Sequence, residues 1–331
     1  MKNIRLIASV ALAALFAAGC AAENNVNTET AVHDTTTTTA TTTQIETTAE
    51  TEITQEENYM EQFRDMITEL PPSDYEDIRE GVQYAEFQKH TYFSSTAGRD
   101  TNVNVLLPCD YSEDKEYPVL YILHGFYDNE YWMARSVVNL SVIYGNLLAD
   151  GKAEEMIIVL PYIFCDKDMP FCTGMDLANC LAYDNFINDL TTDLMPFIES
   201  SFSVRTGREN TAITGFSMGG RESLFIGFER PDLFGYIGAV CPAPGLVEIP
   251  GSPMHPGQMS ADEMAFADDT PYAVLVSSSD VDGVVGSSPD DYRRIMTDNE
   301  VEFLSHVMKT TGHDHSSVKP HLYNYLQLLF R

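Results

Sequence analysis

The segment Gly215-Phe216-Ser217-Met218-Gly219-Gly220 holds the side chain in this chain best placed for covalent chemistry. It follows the short apolar run Thr211–Thr214 and opens a stretch of helical pattern from about 218 to 229. A G-x-S-x-G segment between a strand and a helix folds as a tight, strained turn that lifts the serine hydroxyl above the sheet edge. Small residues at 215 and 219 let that turn close, and the helix N-terminus behind it favours developing negative charge. Such a serine attacks an acyl carbon if a base removes its proton and an acid orients the base.

In a strand–turn–helix setting of this type the chain order is serine, acid, histidine. The histidines after residue 217 are His255, His306, His313, His315 and His321. Thr311-Gly312-His313-Asp314 falls between the last strand and the last helix, where a loop reaches the elbow, so His313 is the expected base. His306 lies inside a strand pattern and reads as structural, His321 falls within the terminal helix, and His315 is the rival. For the acid, Asp280 and Asp282 both sit in the loop after the strand Ala273–Ser277, and the residues alone leave the choice open. The oxyanion of a tetrahedral intermediate needs two donors. The backbone N–H groups of Met218 and of Phe126, in the loop after His124-Gly125, are expected to supply them, with the His124 side chain structural. A competing arrangement is a metal site built from His313, Asp314, His315 and His321. No paired C-x-x-C spacing occurs, so a metal site of cysteine ligands is not expected, and the serine mechanism calls for no cofactor.

These groups require a frame. Phe87–Phe93 and Asn102–Leu107 read as two strands split by a turn, and Pro118–Leu123 and Met156–Leu160 are nearly continuous apolar runs. Runs of that kind between helical stretches predict strands covered on both faces, as in a parallel sheet. Helical spacing marks roughly 183–202, and further strands are expected at Tyr236–Val240, Ala273–Val276 and Glu302–Ser305, with helices near 289–299 and from about 318. The alternation predicts one α/β domain, a single doubly wound, mostly parallel sheet with helices on both faces. Residues 163–182 and 245–270 read as loops that either wall the pocket or lie idle on the surface, and Trp132 reads as core before binding platform.

The front of the chain is different. Lys2 and Arg5 precede an apolar run from Leu6 to Ala18, and Ala17-Ala18-Gly19-Cys20 follows the pattern of a bacterial lipobox. Residues 1–20 are therefore expected to be a lipoprotein signal, with Cys20 lipidated and the mature protein exported and anchored at the cell surface. Residues 21–58, rich in threonine, cannot bury enough apolar surface to fold and read as a disordered spacer ahead of a catalytic body at 59–331. Lys and Arg number 19 against 50 Asp and Glu, a net charge of −31. That excess opposes nucleic-acid binding and leaves a lipid at Cys20 as the expected membrane contact. Cys109, Cys165, Cys172, Cys180 and Cys241 remain in the body, and export permits disulfides among them whose pairing the sequence leaves open.

Three stretches carry a family likeness: YPVLYILHGFYDNEYW from Tyr117, RTGRENTAITGFSMGGRESLFIGFERPDLFGYIGAV from Arg205, and TGHDHSSVKPHLYNYLQLLF from Thr311. From about residue 85 onward the chain resembles the esterase D-like family, specifically the feruloyl and acetylxylan esterases of carbohydrate esterase family one. The resemblance implies an α/β-hydrolase fold, a Ser-Asp-His triad without a metal, and ester-substituted polysaccharide or oligosaccharide, such as xylan, as substrate. It also aligns Ser279-Asp280-Val281-Asp282-Gly283 so that Asp282 is the acid, although the segment departs from the family's usual Gly-Thr-Asn-Asp. Acyltransferases share this fold, with a sugar hydroxyl in place of water, and a non-catalytic carbohydrate-binding relative is a further alternative.

Overall fold

The apolar runs read from the sequence become the inner strands of an eight-stranded sheet with the spatial order β1 (Phe87–Ser94), β2 (Arg99–Leu106), β4 (Ile157–Pro161), β3 (Val119–Leu123), β5 (Thr211–Gly215), β6 (Tyr236–Val240), β7 (Ala273–Ser279) and β8 (Leu304–Met308). A computed structural model describes residues 60–248 and 255–331. The expected leader, Cys20 and the threonine-rich spacer lie outside the described residues. β1 and β2 form an antiparallel hairpin in which His90 faces Val103, and β2 pairs antiparallel with β4. The turn between β1 and β2 needs Gly98, whose φ is 67°. All other pairings, through β3, β5, β6, β7 and β8, are parallel.

Alternation along β3 shows how the layers are built. Val119, Tyr121 and Leu123 enter one core with residues of α2 (Leu177–Asp184), α3 (186–201), α4 (Met218–Glu229) and α5 (Ser288–Asp298). Leu120 and Ile122 enter the other with α1 (Leu140–Ala149) and α6 (His315–Leu326). Both faces of the central strands are therefore buried, which is why their sequences lack polar alternation. Edge strand β8 does alternate, with Leu304, His306 and Met308 inside and Ser305 and Val307 outside, and it begins two residues later than the sequence pattern suggests.

The single helix expected at 183–202 is two. α3 starts at Phe186 and contains a π turn at Leu190–Leu194, while α2 begins inside the segment read as loop and ends at Asp184, within the expected helix. Asp176 caps α2 by accepting from the Asn179 N–H at 3.0 Å. α2 is only eight residues long, and its Leu177 and Leu181 are exposed, so no apolar stripe announces it.

The chain leaves β3 for β4 on one side, while β5 pairs with β3 on the other. Strand order reverses there, and such switch points open a crevice at the carboxyl ends of the strands. Leu123 is in register with Gly215, so the loops that follow β3 and β5 emerge side by side.

Candidate active site

Gly215 ends β5 and Met218 begins α4, leaving Phe216 and Ser217 to make the turn. Ser217 has φ 56° and ψ −113°, a conformation that L-residues avoid and that costs on the order of 1–3 kcal/mol. Its N–H donates to Val240 O at 3.0 Å, and its carbonyl accepts from the Ala243 N–H at 2.9 Å, so β6 and the loop beyond it brace the strained residue. A Cβ on Gly215 would stand 2.3 Å from Gly219 O, and one on Gly219 would stand 2.4 Å from Leu123 O. Both glycines are thus demanded by close backbone approach.

The structure brings the expected side chains together. His313 Nε2 lies 2.9 Å from Ser217 Oγ, and His313 Nδ1 lies 2.6 Å from Asp282 Oδ2. Asp282 also accepts from the N–H groups of Val284 at 2.8 Å and Val285 at 3.3 Å through Oδ1. Burial alone would raise its carboxyl, but the hydrogen bonds from His313 and Val284 hold it below the ordinary aspartate value. An ionised Asp282 makes Nδ1 the donor and frees Nε2 to accept from the serine hydroxyl. Asp280, the alternative acid, instead accepts from the Thr310 N–H at 3.1 Å and ties the ends of β7 and β8.

The other histidines take structural places. His306 is buried against Ser277 Oγ and Glu69 O, and His321 against Thr214 Oγ1 and Ser277 Oγ. Burial lowers the His321 pKa to about 3. Asp314 caps α6, accepting from Ser316 N–H at 2.7 Å, and His315 is the first residue of that helix. The quartet considered as a metal site is therefore dispersed. Cys241, Asp282 and His313 do place ligand atoms within 4.8 Å of one another. The carboxylate and imidazole are already engaged with each other, and burial pushes the Cys241 thiol up to about 12, so the set is a poor cation site. All five cysteines of the body are free.

Phe126 follows the end of β3, and Met218 is the first residue of α4. Among the described residues no protein acceptor takes either N–H. Phe216 N–H donates to Leu123 O at 3.1 Å, fastening the elbow to the β3 loop. Trp132 is half-buried and stacks on Phe216 at 5.1 Å, and Phe216 in turn packs on His313 at 4.6 Å. It thus belongs to the core edge that backs His313.

Sequence reading missed an ionic cluster four residues past Ser217. Arg221, fully buried, pairs with Asp184 at the end of α2 and with Glu222 Oε1 at 2.7 Å. His255 Nε2 bonds Asp184 Oδ2 at 2.8 Å, and Gln258 Nε2 donates to Glu222 Oε2 at 2.9 Å. The cluster joins α4 to α2 and to part of the 245–270 loop. Arg-Glu adjacency after an elbow was its only sequence trace.

The model of the family described as Putative esterase matches residues 94–323, and the chain belongs to that family. An endo-1,4-β-xylanase/feruloyl esterase of Xylanibacter ruminicola is 32% identical over 178 residues, 51% of this chain and 24% of that protein. An endo-1,4-β-xylanase Y of Acetivibrio thermocellus is 27% identical over 154 residues, 44% of this chain and 13% of that protein. The chain thus spans a quarter or less of the length of these curated relatives. A solved structure of a CE1 ferulic acid esterase from Anaeromyces mucronatus, in complex with ferulic acid, is 40% identical with a TM-score of 0.75, covering 80% of this chain and 97% of that one.

Proposed function

We propose that this protein is a serine carboxylic-ester hydrolase that removes feruloyl or acetyl groups from plant cell-wall polysaccharide of the xylan type. The observation that carries the reading is the unbroken Ser217–His313–Asp282 chain, at 2.9 and 2.6 Å, on a strained elbow. His313 Nε2 takes the hydroxyl proton as Ser217 Oγ bonds to the ester carbonyl carbon. Asp282 holds the imidazolium that forms, and the N–H groups of Phe126 and Met218 receive the oxyanion. Collapse breaks the bond to the sugar oxygen, which leaves with the proton from His313. Water then adds to the acyl-enzyme with His313 again as base, releasing the acid and restoring the serine.

Feruloyl esters are favoured by the ferulic acid esterase at 40% identity and by the bifunctional xylanase/feruloyl esterase relative. The signal-like residues before Cys20 and the threonine-rich spacer support an exported lipoprotein whose catalytic body is held away from its membrane. Hydrolysis of methyl ferulate, feruloylated arabinoxylan oligosaccharide, acetylated xylan and p-nitrophenyl acetate tests the reading. Cleavage of feruloylated oligosaccharide lost in Ser217→Ala is expected. Inertness on every ester refutes hydrolysis, and transfer to an added sugar acceptor in preference to water would reassign the protein as an acyltransferase.

A further inference from the structure

The turn that presents Phe126 N–H is held at both ends by side chains given no part in the chemistry above. Its place is set by Leu123, which pairs with Gly215 and accepts from Phe216 N–H, so residues 124–127 run beside the elbow. His124 is buried, and its Nε2 lies 3.1 Å from the backbone N of Ile163. A backbone N–H only donates, so Nε2 accepts and the ring proton must sit on Nδ1. Nδ1–H then donates to Gly125 O at 2.8 Å. Burial lowers the ring's pKa to about 4, which keeps this neutral tautomer in place.

The Gly125 carbonyl and the Phe126 N–H belong to one planar amide. In a trans amide the two point opposite ways, so a donor fixed on the oxygen fixes the direction of the N–H. It also polarises the amide and makes that N–H a stronger donor. Asp128 N–H, at 3.3 Å from the same oxygen, adds a weaker second hold.

At the other end Tyr127 sits at φ 63°, a left-handed conformation unusual for a bulky residue. Its N–H donates to Tyr183 Oη at 3.1 Å. Tyr183 lies fully buried in α2, with its ring 5.0 Å from Phe126 and 6.3 Å from His124. The hydroxyl holds the strained residue, and the ring backs the Phe126 side chain.

We propose that His124 and Tyr183 are positioning residues that clamp the Gly125–Phe126 amide so that its N–H is aimed at the developing oxyanion. The proposal rests on the serine-hydrolase reading of Ser217. It gives the 163–184 segment a task in rate, transmitted through α2, without contact to substrate.

Tyr183→Phe keeps the ring and removes only the hydroxyl, so the test is made on the full chain with this variant, with His124→Asn and with His124→Leu. Asn can still offer an N–H to the Gly125 carbonyl, and Leu cannot. Three readouts are taken: kcat and KM on methyl ferulate, the rate at which a fluorophosphonate modifies Ser217, and the melting temperature. Tyr183→Phe should lower kcat about tenfold with KM within about twofold, a fraction of the roughly hundredfold or greater loss when an oxyanion donor is removed outright. Phosphonylation, which also builds negative charge on a substrate oxygen, should slow by a similar factor, and His124→Asn should retain more of both rates than His124→Leu. Unchanged rates in Tyr183→Phe, or equal losses in the two His124 variants, would overturn the clamp. Phosphonylation needs no ester substrate, so an enzyme inert on every ester would sink the functional reading while the clamp was still being measured.

Discussion

Replacing Asp282 by Asn tests the assignment of the acid sharply, because the structure dictates how the new side chain must turn. Asp282 Oδ1 accepts from Val284 N–H at 2.8 Å and Val285 N–H at 3.3 Å, while Oδ2 faces His313 Nδ1 at 2.6 Å. An Asn amide nitrogen cannot accept from those two N–H groups, so its carbonyl must take the Oδ1 place and its NH2 must face His313. Nδ1 then becomes the acceptor, the ring proton moves to Nε2, and the imidazole points a proton at Ser217 where a lone pair is needed. Loss of the correct tautomer in an intact triad geometry costs about 10⁴ in kcat, which is about 5.5 kcal/mol of transition-state stabilisation. Asp280→Ala serves as control, since Asp280 only accepts from Thr310 N–H on the exposed side of the loop. Steady-state hydrolysis of methyl ferulate by both variants, with circular dichroism to verify folding, decides the matter. If Asp282→Asn kept more than a tenth of wild-type kcat, or if Asp280→Ala lost as much, the triad as drawn would be wrong.

Three further outcomes follow from the same structure. Gly219→Ala places a Cβ 2.4 Å from the Leu123 carbonyl, so it should abolish activity and destabilise the fold by more than about 2 kcal/mol in urea unfolding. Arg221→Leu removes the cation shared by the buried Glu222 and Asp184, which keep only Gln258 and His255 as partners, and a loss of about 3–5 kcal/mol is expected in the same measurement. His124 and His321 are held neutral by burial, with pKa lowered from 6.5 to about 4 and about 3. The unfolded chain therefore binds more protons than the folded one below pH 6.5, and each group's stabilisation, complete above that pH, is lost as pH falls toward the folded values. At pH 5 each should cost on the order of 2 kcal/mol, and His321→Gln should flatten the decline of melting temperature between pH 7 and 5.

The candidate site was more legible than the scaffolding around it. Ser217 and His313 could be found because an elbow imposes glycines at 215 and 219, and because the fold fixes the order of its partners. Asp280 and Asp282 could not be separated by residue type: two loop carboxylates after one strand differ only in which way the turn throws them. The turn sends Asp282 to His313 and Asp280 to Thr310. The central strands stood out as apolar runs because both faces are covered, whereas α2 stayed hidden behind its exposed Leu177 and Leu181. The Arg221 cluster was invisible for another reason. Its members, Asp184, Glu222, His255 and Gln258, are brought together from three separate segments, and a charged residue read in isolation looks like surface.

The central claim is that Ser217 becomes covalently acylated by an ester and is then released by water. Its most direct test is rapid-quench mass spectrometry of the protein mixed with methyl ferulate, followed by peptide mapping. The account predicts a transient mass increase of one feruloyl group on the peptide containing Ser217, decaying as ferulate appears, and neither signal in Ser217→Ala. Ester hydrolysis that survives in Ser217→Ala, or an acyl group mapped to any other residue, would contradict it.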